Sequence, residues 1–188
     1  MLVKSYDAFP SWSSDCLEHL RAIYAAPENQ RPLLDLIADF TLDPADAAKA
    51  RIAVRLGKPV KEDFFPCIAI EMLGEDDPWF SGGYTREVRV DLWVNVCMKA
   101  AGSATAHPVT ERREVFIGKL AAVAKGLLSQ PQHLQSPFVT ARGDFKFDSK
   151  SGRIEYGYMY DGAVRVARFQ WFASFITGPT SPGVTPEI

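Results

Sequence analysis

The sequence has no excess of positive charge and no long hydrophobic run. Its 188 residues carry 21 Lys and Arg against 23 Asp and Glu, which gives a formal net charge of −2. This balance argues against nucleic acid or an anionic membrane as the main partner, because both attract basic proteins. No stretch of about 20 apolar residues is present, so we expect no membrane-spanning helix. Charged residues interrupt each apolar stretch near the N-terminus, so we expect no signal peptide and predict folding in the cytosol.

Cysteine is scarce as well. Cys16, Cys67 and Cys97 are odd in number and far apart, and no CxxC motif occurs. This spacing favours neither a zinc ribbon nor a thioredoxin-like pair. We predict buried thiols without disulfides, as is usual in a reducing compartment.

Motifs for catalysis, metal binding and phosphate binding are also missing. The sequence has three histidines, His19, His107 and His133, and none lies in a recognisable nucleophile motif. The acidic run 75–77 lacks the glycine and the later glutamate of a calcium loop, and Gly82-Gly83 lacks the lysine of a phosphate loop. We therefore predict that the protein is not an enzyme and that it has no cofactor and no metal.

Apolar residues, in contrast, are abundant enough for one domain with a substantial core. Hydrophobic residues make up 47% of the chain and aromatic residues 12%. A chain of this length buries on the order of 70% of its unfolded surface on folding. We assign residues 1–176 to a single domain and residues 177–188, which are rich in proline and glycine, to an extended tail.

The first sixty residues have a helical pattern. Apolar residues at helical spacing predict a helix over residues 12–26, and a short apolar segment over residues 33–37 is also predicted helical. Asp43-Pro44 is a helix-start signal, which predicts a third helix over residues 45–56 that Gly57 and Pro59 close. No strand is predicted before residue 64.

Strands dominate the rest of the chain. Residues 65–73 predict a buried strand, and residues 86–98 alternate strictly between two faces, which predicts a long central strand with Val90, Leu92 and Val94 buried. An amphipathic helix over residues 110–128 is expected to cover that face. Further strands are predicted within 138–147, over 154–160 and over 164–176. The fold class is therefore α+β, an antiparallel or mixed β-sheet with helices packed on it and a helical N-terminal segment.

Aromatic side chains offer the best candidates for contacts with partners. Trp79 and Phe80 lie in a polar, glycine-rich segment, predicted to be a loop over residues 74–83, where a core position is hard to reach. Exposed aromatic side chains in loops often anchor a partner. We predict an interface formed by this loop: Glu75, Asp76, Asp77, Trp79 and Phe80. Tyr156, Tyr158 and Tyr160 alternate on one face of a predicted strand, and packing in the core or in an interface is the expectation for them.

The order of these elements resembles that of a known family. A strand starts at a proline (65–70), and an arginine-bearing alternating strand ends in a tryptophan (86–93). A helix that begins with charged residues (110–114) follows, and a last strand closes the chain (164–171). Over residues 64–176 the arrangement is similar to the tail terminator, or tail completion, proteins of long-tailed bacteriophages.

This resemblance implies a structural role. Such proteins form a hexameric ring on the last ring of the tail tube, stop its growth and present a surface to the head connector. The implied partners are copies of the same chain, the tail tube protein and a head connector or neck protein, with no membrane and no sequence-specific nucleic acid. The implied location is the virion tail, assembled in the host cytoplasm. Three alternatives stay open: another neck or head–tail joining protein, a small enzyme using His107 or His133, and a ligand-binding module using the tyrosine face.

Overall fold

The computed structural model describes residues 12–41, 48, 50–60, 66–76, 86–99, 112–130, 144–147 and 153–177. Within these ranges the helices are α1 (Trp12–Ala25), α2 (Pro27–Asp39) and α3 (Arg113–Leu128). The strands are β1 (Ala53–Leu56), β2 (Cys67–Asp76), β3 (Arg86–Lys99), β4 (Asp144–Phe147), β5 (Glu155–Met159) and β6 (Val164–Thr177).

The strands form one six-stranded mixed sheet in the order β1-β2-β3-β6-β4, and β5 pairs with β6 as well. Strand β1 is parallel to β2, and all the other pairs are antiparallel. Strands β4 and β5 pair with opposite ends of the long strand β6, β5 near its start and β4 near its end. The predicted α+β class, with helices packed on a mixed sheet, is confirmed.

One face of the sheet carries the main core, and the alternation along β3 determines it. Val90, Leu92 and Val94 are completely buried, as predicted. Their counterparts on the same face of the neighbouring strands are also buried: Ile68, Ile70, Ala167, Phe169, Trp171 and Ala173. Period-two alternation puts one apolar row on one side of a strand, so β3 and β6 together supply the floor of this core. We call this side the helix face.

Helices α1 and α3 pack on the helix face, and α2 packs against both of them. Tyr24 of α1 is fully buried, and its hydroxyl donates a hydrogen bond of 2.8 Å to the carbonyl of Ala124 in α3. Burial raises the pKa of the Tyr24 phenol well above its ordinary value, because the charged form would lose its hydration. This hydrogen bond joins the two helices beneath α2.

The structure corrects the prediction of a helix over residues 45–56. Residues 53–56 form β1, which pairs with β2 from Ala53 opposite Cys67 to Leu56 opposite Ile70. The alanine-rich sequence favours a helix locally, but pairing with β2 satisfies the backbone and buries part of each β1 side chain. Gly57 follows with a φ of +89°, a conformation that favours glycine, and ends the strand.

The second face of the sheet has a smaller apolar cluster of its own. It consists of Cys67, Cys97, Val164 and Val166, with Ala53 and Met159 packed against it. All three cysteines are buried and none forms a disulfide, as predicted. The connection that follows β1 is joined to the β5–β6 turn, because the carbonyl of buried Pro59 accepts a hydrogen bond from the hydroxyl of Tyr160. That hydrogen bond ties together two segments that come from opposite edges of the sheet.

Candidate interaction surface

Two exposed tyrosines stand on the edge strand β5. Tyr156 is 49% exposed and Tyr158 is 60% exposed, and both lie on the helix face because they pair with Ala167 and Arg165 of β6. Tyrosine favours the extended backbone of a strand. Tyr156 and Tyr158 alternate with Glu155, Gly157 and Met159 in this short strand. The predicted third member of the row, Tyr160, departs from it. Its φ of 54° places it in the turn, so the prediction of three tyrosines on one strand is wrong at that position.

Helix α3 adds an apolar side chain to this surface. Val115 is 52% exposed, and Gly118 lies one helical turn further along the same side of α3. The hydroxyl oxygen of Tyr156 approaches Gly118 so closely that an added Cβ would lie 3.6 Å from it. The side chain of Tyr156 therefore reaches α3 at Gly118. We call the three exposed side chains Val115, Tyr156 and Tyr158 the tyrosine patch.

An ion pair between a largely buried arginine and an exposed glutamate supports the patch. Arg165 of β6 is only 13% exposed at its side chain, and its Nε and Nη2 donate to the two carboxylate oxygens of Glu114 at 2.9 and 2.6 Å. Its Nη1 donates to the carbonyl of Gly157 at 3.0 Å. Hydrogen bonding to Glu114 raises the pKa of Arg165 above its ordinary value, and burial opposes this. The bidentate contact with Glu114 fixes the plane of the guanidinium.

The fixed guanidinium in turn orients the aromatic rings. The central carbon of Arg165 lies 4.5 Å from the centre of the Tyr158 ring and 5.6 Å from that of Tyr156. Cations are attracted to the faces of aromatic rings at such distances. Both rings thus contact a cation within the chain, and side chains restricted in this way lose less entropy on binding. Rigid aromatic surface around a neutralised charge pair suits contact with another protein.

Two of the predicted interface residues, Glu75 and Asp76, lie in another part of the sheet. The backbone N–H and the hydroxyl of Ser13 both donate to Oε2 of Glu75, the former at 2.9 Å. Glu75 thereby caps the first turn of α1, where a negative charge interacts favourably with the helix dipole. Glu75 and Asp76 belong to β2, whereas the predicted loop began at residue 74. Asp77, Trp79 and Phe80 lie outside the described residues. In the sheet, β2 is separated from the tyrosine patch by β3 and β6.

The residues of the alternative enzyme reading are mostly not described. His19 lies on α1 and is partly buried, and His107 and His133 fall outside the described ranges. In the ranges that are described, no three His, Cys, Asp or Glu side chains gather closely enough to hold a metal ion.

The sequence patterns identified two members of the tyrosine patch and missed both Val115 and the ion pair that supports the patch. Tyr156 and Tyr158 were predicted to share a face. Glu114 and Arg165 are 51 residues apart, so no local pattern signals their pairing. Only the charged start of the predicted helix, 110–114, hinted that this end of α3 carries an acidic side chain.

Comparisons with known proteins add no family assignment. No protein-family model matches the chain, and no curated protein matches it. In addition, none of the helices among the described residues is long and apolar enough to cross a lipid bilayer.

Proposed function

We propose that this chain is a structural subunit that assembles with copies of itself into a ring of six, caps the tail tube of a long-tailed bacteriophage and joins it to the head connector. The proposal rests on the order of elements over residues 64–176, which resembles that of tail terminator proteins. In such a role the chain needs a rigid sheet and surfaces for its neighbours, and it needs no reacting group.

The tyrosine patch is the observation that supports this proposal best. Val115, Tyr156 and Tyr158 are each about half exposed or more, although they are large and apolar. Aromatic side chains that are rigid and exposed are enriched among residues that dominate binding between proteins. The ion pair of Arg165 with Glu114 holds them on β5 and α3, two elements of the folded core. A surface of this kind is expected where a subunit meets another protein.

The test is the mass of the purified protein in solution, measured with and without tail tubes. We expect a hexamer, or a monomer that forms rings at the tube end, visible by electron microscopy. The paired change Tyr156→Ala and Tyr158→Ala should weaken ring formation while leaving the melting temperature nearly unchanged. The matched control is Glu18→Ala with Arg21→Ala. These two exposed residues form an ion pair on α1, which packs mainly on β1, β2 and β3. A protein that stays monomeric beside tail tubes would contradict the proposal.

The same measurement separates the alternative of another neck or head–tail joining protein. Such a protein would bind the head connector but would not bind to, or stop the growth of, purified tail tubes. A ligand-binding module using the tyrosine patch is a further candidate, favoured by the same exposure. That reading predicts a monomer whose tyrosine fluorescence responds to an extended peptide, with no assembly.

A further inference from the structure

Among the described residues, β1 forms one edge of the sheet, and the short strands β4 and β5, both paired with β6, form the other. Strand β1 pairs with β2, and β5 pairs with β6; within the described part of the chain neither has a second neighbour. An edge strand presents backbone N–H and C=O groups that can pair with another chain. Which residues present them follows from the hydrogen bonds inside the sheet.

On β1, the outward groups belong to Val54 and Leu56. The N–H of Ala53 donates to the carbonyl of Pro66, and the N–H of Gly57 donates to the carbonyl of Ile70. Ala53 and Gly57 therefore face β2. Because the direction of the backbone groups alternates along a strand, those of Val54 and Leu56 point away from the sheet.

On β5, the outward groups belong to Tyr156 and Tyr158. The carbonyls of Pro66 and Ile70 point toward β1, so the backbone groups of the odd-numbered residues of β2 point toward β3. Cys67 is the first of these, and its partner on β3 is Cys97. Carrying the alternation through β3 makes the even-numbered residues of β6 face β5. Their partners on β5 are residues 155, 157 and 159. The backbone groups of the two tyrosines between them point outward.

The two edges are complementary in direction and in side chains. Strand β1 runs parallel to β2, and β5 runs antiparallel to it, so a sheet continued from β5 of one copy to β1 of the next has an antiparallel junction. Val54 and Leu56 have their side chains on the helix face, as Tyr156 and Tyr158 do. With Tyr156 opposite Leu56 and Tyr158 opposite Val54, each pair would exchange two backbone hydrogen bonds and join apolar side chains on one face.

On the second face, the junction would bring Arg55 near Glu155, which pairs with Arg153 and Arg168 in its own copy. Arg55 of β1 pairs with Ala69 and so lies on the second face, as Glu155 of β5 does through its pairing with Arg168. In the register above, Arg55 of one copy would stand opposite Gly157 and diagonal to Glu155 of the other. The two side chains would then be diagonal neighbours across the junction, within reach of each other because both are long.

We propose that copies of this chain associate head to tail through antiparallel pairing of β5 in one copy with β1 in the next, with the tyrosine patch covered by the neighbouring β1. This inference rests on the proposed function, because it names the surfaces through which that assembly would form. Head-to-tail contacts of this kind close into a ring when the rotation between subunits permits it.

Cysteine cross-linking tests the pairing directly. A copy with Val54→Cys and a copy with Tyr158→Cys are mixed and oxidised with glutathione disulfide. Opposed residues of a hydrogen-bonded pair lie about 5.5 Å apart at Cα, within the range that a disulfide spans. We expect a covalent dimer from the mixture, a ladder of multimers from the double variant, and neither from each single variant alone. The matched control joins Tyr158→Cys with Glu18→Cys, an exposed position on α1, and should give no ladder.

A second pair of variants tests the backbone hydrogen bonds. Tyr158→Pro removes an outward N–H that β6 does not use, whereas Tyr158→Thr removes the ring and keeps the N–H. Proline should weaken self-association by on the order of tenfold relative to threonine, as the loss of a hydrogen bond predicts. Native mass and circular dichroism of each variant show whether the monomer is folded.

The outcomes separate this inference from the proposed function. Covalent multimers from the mixture support the pairing. Dimers from Tyr158→Cys alone would show a symmetric contact and overturn it. Rings that form on tail tubes without any cross-link between positions 54 and 158 would also overturn it, and would leave the terminator role standing. A wild-type chain that is monomeric beside tail tubes overturns both.

Discussion

Replacing Leu92 with alanine removes a side chain from the centre of the core, whereas the same change at Met72 removes a side chain that solvent already reaches. The two residues are direct partners across β2 and β3 and lie on the same face of the sheet. Leu92 is completely buried, and Met72 is 51% exposed. Because the two residues face each other on neighbouring strands, Met72→Ala is a control on the same face of the sheet that differs from Leu92→Ala in burial.

The magnitude follows from burial. Truncating a buried leucine costs about 2–5 kcal/mol, which combines the lost transfer free energy with the cavity left behind. For the half-exposed Met72 we expect under about 1 kcal/mol, because only part of the side chain leaves an apolar environment. In a domain of this size each kcal/mol shifts the melting temperature by about 2–4 °C, so Leu92→Ala should lower it by on the order of 10 °C. Leu92→Asp should cost more, since it would bury an unpaired charge.

Urea unfolding followed by circular dichroism measures both variants. We expect a lower midpoint for Leu92→Ala with an unchanged dependence on urea, which shows that stability changed and the unfolded state did not. Equal losses at positions 92 and 72 would refute the difference in burial between them. So would a Leu92→Asp variant that melts like the wild type.

Three further predictions concern hydrogen bonds. Folding raises the pKa of the Tyr24 phenol, so wild-type stability should fall once pH exceeds about 10, where Tyr24 ionises in the unfolded chain first. The stability of Tyr24→Phe, measured by melting at several pH values, should lack this contribution. At neutral pH the variant should be less stable by about 1 kcal/mol, because the hydrogen bond is lost. Glu75→Gln removes the negative charge that caps α1 at Ser13 and should cost about 0.5–1 kcal/mol in urea unfolding; no change would refute the cap. Tyr160→Phe breaks the hydrogen bond to Pro59 and should increase amide hydrogen exchange after β1, with α1 unaffected as the internal control.

Much of the sheet could be predicted from the sequence because its strands alternate. The row through Val90, Leu92 and Val94 identified both β3 and its buried face. The interval between the strands predicted over 154–160 and 164–176 is a turn, in which Gly162 has a φ of +87°. The strand β1 could not be predicted in this way. Its alanine-rich surroundings favour a helix. The segment is a strand because it pairs with β2, and no pattern within the segment itself indicates that pairing.

The candidate surface shows the same division. Tyr156 and Tyr158 share a face because residues two apart in a strand must do so, and the sequence shows this directly. Tyr160 continues the same spacing, but the left-handed backbone of the turn takes it elsewhere. Arg113 of α3 is buried although it is charged, because its position depends on how the helix is rotated against its neighbours. Such rotations follow from packing in three dimensions.

The position of β6 in the sheet has a consequence for how the chain folds. Strand β6 lies between β3 on one side and β4 and β5 on the other, and it pairs with β3 along its whole length. It is also the last strand to be synthesised among those described. Until it is in place, the long edge of β3 has no partner there, and β4 and β5 have nothing to pair with. Joining residues so distant in sequence is slow, because loop closure costs entropy before the contacts form. An unfinished chain would therefore expose the unpaired backbone edge of β3 together with its apolar side chains. Such an edge can pair with other chains and aggregate. Sheet formation is thus expected to be a late and concerted event in the folding of this protein.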